Sequence, residues 1–184
     1  MTTIAVFGSG AVEPGSPDYL VAYDVGWSLA RAGYVVMTGG YMGVMAAASE
    51  GAAAGNADCG ISEADRVIGV TYGSQSRTLD GVNRWVQQEI RYPTHAERIT
   101  HLSMEPEGYV VMPGGVGTRR EFARVARCIK MRTIPPRPVI FIGSFWQAEV
   151  QQLLAEVGTP ELRDLFVFVE TAAESVAVLA QNIA

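Results

Sequence analysis

Short apolar runs separated by helical patterns constrain this chain more than any other feature. Residues 3–7, 34–37, 66–70, 109–112, 139–142 and 166–169 read as short buried strands. Between them the spacing predicts helices over 17–32, 42–54, 118–131, 145–157 and 172–183. Ser16 is placed to cap the first helix and Gly33 to stop it, while Gly55 follows the alanine-rich second. This alternation predicts an α/β fold in three layers, a parallel sheet with helices on both faces. With 184 residues and no low-complexity linker or internal repeat, the chain reads as a single domain over residues 1–184. The least regular stretch is 72–107, read as a polar loop over 73–81 followed by one or two helices around 83–103, with Pro93 between them or opening the second.

Ligands of such sheets bind beyond the carboxyl ends of the strands. Three glycine-rich segments fall at those ends: Gly8-Ser9-Gly10, Gly39-Gly40-Tyr41-Met42-Gly43 and Pro113-Gly114-Gly115-Val116-Gly117-Thr118. Glycines let backbone N–H groups approach a ligand, and a helix N-terminus attracts anions. The third segment carries most information. A strand runs into it, and a helix with Glu121 in its first turn is predicted to leave it. A phosphate cradle beside a carboxylate suggests chemistry on a nucleotide.

Several familiar chemistries are excluded. G-x-G-x-x-G needs a glycine at position 13, where Glu13 stands, and no acid ends the second strand to hold a ribose, so a standard NAD site is not expected. No G-K-[ST] and no G-x-S-x-G pattern occurs. Of fourteen basic residues only Lys130 is a lysine, so any Schiff base would have to form there. Cys59 and Cys128 form no C-x-x-C pair, and His95 and His101 are not at i, i+4 spacing, so neither a disulfide framework nor a metal site is expected. The net charge of −5 argues against general nucleic-acid binding. No apolar run is long enough for a membrane span, and the N-terminus lacks a basic signal region, so a cytoplasmic location is expected.

Individual residues leave alternatives open. Thr118 and Glu121 form T-x-x-E, the capping-box spacing, so Glu121 either caps the helix or faces a ligand. Arg120, Arg124 and Arg127 share a helical face that is a solvated surface, a subunit contact or an anion site. Arg98 is either an exposed arginine or a clamp for a phosphate or carboxylate. Tyr41 and Met42 sit inside a glycine loop, where base stacking competes with ordinary packing.

P-G-G-x-G-T-x-x-E at Pro113 to Glu121, together with G-G-x-x-G-x-M at Gly39, Gly40, Gly43 and Met45, resembles the "Lonely guy" family of cytokinin-activating phosphoribohydrolases, long mislabelled as lysine decarboxylases. The resemblance runs from the first strand to about residue 142. It implies a Rossmann-like doubly wound sheet, a homodimer and no cofactor. The implied reaction is hydrolysis of the N-glycosidic bond of a nucleoside 5′-monophosphate, AMP or an N6-modified AMP, to free base and ribose 5-phosphate. The catalytic pair maps to Arg98 and Glu121. The phosphate loop maps to Gly114, Gly115, Gly117 and Thr118, with Gly39, Gly40, Gly43 and Met45 completing a nucleotide pocket that Gly8 and Ser9 adjoin. Ile99 stands where the family usually has lysine, and Arg120 where it has an acid.

The chemistry suits those residues. Glycosidic cleavage builds positive charge on the sugar, which a nearby carboxylate stabilises while activating water. Arg98 is expected to keep Glu121 ionised, as a neighbouring cation lowers a carboxylate pKa. The alternative is a protein that binds a nucleotide or a molybdenum cofactor without hydrolysis.

Overall fold

The computed structural model describes residues 1–62, 66–73, 81–157 and 160–183. Part of the expected 73–81 loop and residues 158–159 lie outside them. Seven strands form one sheet: β1 (Thr3–Phe7), β2 (Val35–Thr38), β3 (Val67–Tyr72), β4 (Gln88–Tyr92), β5 (Gly108–Val111), β6 (Val139–Ile142) and β7 (Phe166–Val169). The helices are α1 (Pro17–Arg31), α2 (Val44–Asp58), α3 (His95–Met104), α4 (Val116–Lys130), α5 (Gln147–Val157), α6 (Pro160–Leu165) and α7 (Ala172–Asn182).

All neighbouring strands are parallel, in the order β4-β3-β2-β1-β5-β6-β7. The chain winds outward from β1 to β4, returns to β5 beside β1, and winds outward again to β7. This is the doubly wound arrangement that the alternating pattern predicts, with its switch point between β1 and β5. Strand residues alternate between two cores. Ile4, Val6, Val36, Val110 and Ile140 pack beneath α1, α2 and α7. Ala5, Phe7, Met37, Val70, Tyr109, Val111 and Phe141 pack beneath α3 to α6. Both faces are covered by helices, which is why the central strands are continuous apolar runs.

The structure corrects the sequence reading in three places. Residues 88–92 form an edge strand where helix was expected. Among the described residues β4 has a strand partner on one edge only; Glu89 and Arg91 are exposed on one face while Ile90 and Tyr92 pack against the core, so the apolar signature of the inner strands is missing. Pro93 leads into α3 through the N-cap Thr94. Gly55 does not stop α2, which continues to Asp58 and ends before Gly60, at φ +68°. Gly55, Gly51 and Gly26 instead let α1 and α2 touch. A Cβ on Gly26 would lie 2.0 Å from the Ala48 carbonyl oxygen, and one on Gly51 the same distance from that of Tyr23. The six-residue α6 has no counterpart among the expected helices.

Gly51→Ala should therefore destabilise the protein although alanine is the better helix former by about 1 kcal/mol. Overpacking against a backbone carbonyl costs roughly 1–3 kcal/mol or more, so a fall of several degrees in Tm is expected by calorimetry. An unchanged or raised Tm would contradict the close α1–α2 approach.

Candidate functional site

A cavity of about 470 Å³ opens at the switch point, beyond the carboxyl ends of β1 and β5. Ser9 N–H donates to the Pro113 carbonyl at 3.1 Å, and Met112 N–H to that of Phe7 at 2.8 Å. These bonds hold the β1 and β5 loops side by side. Gly8, Ser9, Met45, Arg98, Gly115, Gly117, Thr118 and Glu121 all line the cavity. Eight of the twelve residues read as site candidates thus converge.

The other four stand behind or beside the wall. A Cβ on Gly39 would lie 2.0 Å from an Arg98 Nη, and one on Gly114 would lie 2.2 Å from the Thr118 hydroxyl oxygen. Gly40, at φ +78°, packs on Thr71, Val82 and Gly69 and accepts hydrogen bonds from Asn83 through its carbonyl. Gly43 is the N-cap of α2, with φ +68°, and lines a neighbouring cavity of about 770 Å³ that shares Gly10, Ala11 and Met42 with the first. These glycines make room for the site's side chains and turns.

The capping alternative for Glu121 is overturned. α4 begins at Val116 with Gly115 as N-cap and no side-chain cap, so Thr118 lies inside the helix and Glu121 in its second turn. The true capping boxes are Thr94 with Glu97 and Thr171 with Glu174. Among the described residues the first N–H groups of α4 therefore have no side-chain acceptor, and Gly115, Gly117 and Thr118 carry them along the cavity wall. Phe122, packed edge-on to Phe141 and Trp146 at 5.4 and 5.2 Å, pins the same turn to the core.

Arg98 is 5 % exposed. Its Nε donates to the Val70 carbonyl at 2.7 Å and one Nη to that of Gly39 at 3.2 Å. The other Nη lies 3.8 Å from a Glu121 carboxylate oxygen, and the guanidinium carbon is 5.3 Å from the centre of the Tyr41 ring. Glu121 does not titrate below the usual carboxylate range as the sequence suggests. Burial pushes its pKa up to about 7, against the opposing pull of Arg98 and Arg120. Arg98 spends two donors on backbone carbonyls and reaches Glu121 at beyond hydrogen-bond distance, so desolvation wins.

The sequence reading passed over Ala11 and Tyr72 as wall residues and weighed His95 only as a metal ligand, while Gly10, Ile99 and Arg120, which it discussed without placing them in the site, also line the cavity. Tyr72 ends β3 and packs edge-on to His95 at 4.9 Å. His95, Arg98 and Ile99 are at i, i+3, i+4 on α3, a signal that would have placed them on one face. Tyr41 and Met42 line the wall too. Lys130 lies in the last turn of α4, about 14 Å along the helix from Glu121, which removes it from any chemistry in the cavity. Arg124 turns back onto its own chain and donates to the Thr100 hydroxyl at 2.8 Å. Among the described residues no three His, Cys, Asp or Glu side chains gather as a metal site, and no helix is long and apolar enough to cross a membrane.

Fold and cavity define a Rossmann-like α/β protein with its pocket at the switch point of the sheet. Residues 1–156 match the SLOG cluster4 family, and the chain belongs to it. A search of curated proteins returns no match. Among solved structures the fold is similar to that of TM1055, at 21 % identity and TM-score 0.74 over 98 % of this chain and 99 % of that one. It is also similar to the molybdenum cofactor binding protein of the phototrophic bacterium Rippkaea orientalis, at 21 % identity and TM-score 0.72 over 98 % and 96 % of the two chains. The molybdenum cofactor carrier protein of Chlamydomonas reinhardtii gives 21 % identity and TM-score 0.72 over 98 % of each chain. Identities this low speak to the fold alone.

The raised pKa of Glu121 has a consequence for stability. Between pH 4.5 and about 7 the folded protein holds a proton on Glu121 that the unfolded chain has lost, so this group's contribution falls as pH rises and levels off above about 7. The full loss is about 3 kcal/mol. The Tm of Glu121→Gln minus that of the native protein should therefore widen by roughly 5 °C or more between pH 4.5 and 8.5. A gap independent of pH would show that Glu121 is not desolvated.

Proposed function

We propose that the protein hydrolyses the N-glycosidic bond of a nucleoside 5′-monophosphate, releasing a free base and ribose 5-phosphate. The observation that carries this reading is the buried Glu121–Arg98 pair, which shares a cavity wall with the uncapped N-terminus of α4. The cavity volume is within the range of small-molecule sites.

In this reading the phosphate sits on the N–H groups of Gly115, Gly117 and Thr118, which offer the positive end of the helix dipole. Ser9 and Gly8 bound the seat on the β1 side. Phosphate binding fixes the sugar so that its anomeric carbon faces Glu121. As the bond to the base breaks, C1′ gains positive charge. The Glu121 carboxylate stabilises that charge and takes a proton from the water that adds to C1′, while the departing base leaves with the bonding pair and gains a proton. Arg98 is a positioning residue, holding Glu121 opposite the sugar and lowering the cost of its ionised form. Tyr41, Met42, Tyr72 and His95 are the wall available to the base. AMP or an N6-modified AMP is the proposed ligand, and a homodimer the proposed assembly.

A second reading keeps the seat and drops the reaction. Two similar folds belong to a molybdenum cofactor binding protein and a molybdenum cofactor carrier. Ile99 and Arg120, which line the cavity in place of the usual lysine and acid of the "Lonely guy" motif, favour it.

The test is chromatography of free base released from a panel of nucleoside 5′-monophosphates. The native protein should release base, and Glu121→Gln should lose turnover while still binding nucleotide. Because the ionised carboxylate is required, kcat/KM should rise with pH through about 7. Intact nucleotide with no base released would sink the hydrolase and leave the carrier. Normal turnover by the glutamine variant would remove Glu121 from the chemistry.

A further inference from the structure

The geometry points to Arg120 as the residue that selects phosphorylated ligands in this cavity, an inference that rests on reading the α4 N-terminus as a phosphate seat. Arg119 and Arg120 are neighbours in sequence with opposite employment. Arg119 ion-pairs with Glu149, and its guanidinium carbon lies 5.7 Å from the centre of the Trp146 ring, so its charge is committed outside the cavity. Arg120 lines the cavity and, among the described residues, makes no hydrogen bond or ion pair.

Its direction follows from helix geometry. Side chains on an α-helix lean toward its N-terminus and cover the turn before them. Position 120 therefore projects over the turn at 116–117, whose N–H groups have no cap. The other lining arginine, Arg98, has given two of its nitrogens to the Val70 and Gly39 carbonyls and turns the third to Glu121. Arg120 acts on Glu121 through its charge alone, so among the described residues its donors remain available to a ligand of the cavity. Its five donors suit two oxygens of one phosphate group.

The ligand class that gains from this arrangement carries a dianionic phosphate monoester on a sugar. The helix N–H groups take the inner oxygens and Arg120 the outer ones. An unphosphorylated nucleoside or free sugar gains nothing from Arg120. The "Lonely guy" motif usually places an acid here, so this chain adds a charge-assisted contact that the motif lacks.

The experiment is calorimetric titration with ribose 5-phosphate, with ribose as the uncharged comparator; neither has a base to lose, so turnover does not enter. The native protein is expected to prefer ribose 5-phosphate over ribose. Arg120→Gln should weaken ribose 5-phosphate binding at least about tenfold and leave the response to ribose unchanged. Arg120→Lys should recover only part of the loss, since ammonium cannot bind two oxygens in a fixed fork. Arg119→Gln should bind as the native protein does. Unchanged binding by Arg120→Gln, an equal loss in Arg119→Gln, or no binding of ribose 5-phosphate by the native protein would each overturn the assignment. If nucleotides bind but release no base, the hydrolase reading fails while the role of Arg120 is decided by these titrations.

Discussion

The buried guanidinium of Arg98 is the interaction on which the geometry of the site depends. A cation taken out of water must be hydrogen-bonded nearly all round, and here the partners are backbone carbonyls at Val70 in β3 and Gly39 after β2. The demand for those carbonyls ties α3 to the carboxyl ends of two strands. It also dictates the residue at 39, because any Cβ there would collide with the guanidinium. What is left of Arg98 faces Glu121 across 3.8 Å, close enough to attract and too far to hydrogen-bond. The carboxylate is therefore partly compensated and partly desolvated, and its proton is poised near neutrality.

The second contributor is the switch point. Winding the chain outward twice from the middle of the sheet leaves β1 and β5 adjacent with their following loops diverging to opposite faces. The loops stay in register through Ser9 and Pro113, and the space between them becomes the cavity. α4 starts at this place without a cap, so its dipole and free N–H groups face the opening. Site and fold are thus linked by topology, whereas the choice between hydrolysis and carriage belongs to a few side chains on the wall.

The central strands were legible because burial on both faces leaves an unbroken apolar run; residues 3–7, 139–142 and 166–169 coincide with β1, β6 and β7. β4 was not legible, because an edge strand with charged alternate residues carries no such run. The glycines were legible as a group but not in their roles. From sequence Gly55 is a helix stop, while in the fold it continues a face that lets two helices touch. T-x-x-E at Thr118 and Glu121 has the spacing of a capping box, but the helix starts two residues earlier, at Val116, and the carboxylate turns inward. The same spacing at Thr94 and Glu97 is a real cap. Local pattern does not distinguish them, since the distinction lies in where the preceding loop lets the helix begin.

The sequence by itself determined the layered α/β architecture and the placement of glycine-rich loops at strand ends, because periodicity and local residue type are written along the chain, while its resemblance to the "Lonely guy" motif singled out Arg98 and Glu121 as candidates. Only the tertiary structure decided that Arg98 is spent on carbonyls, that Arg120 and not Arg119 faces the cavity, and that burial outweighs two arginines at Glu121. Desolvation and hydrogen-bond commitment depend on what surrounds a group from every side. That surrounding comes from segments distant in sequence and exists only once the sheet has closed around the switch point.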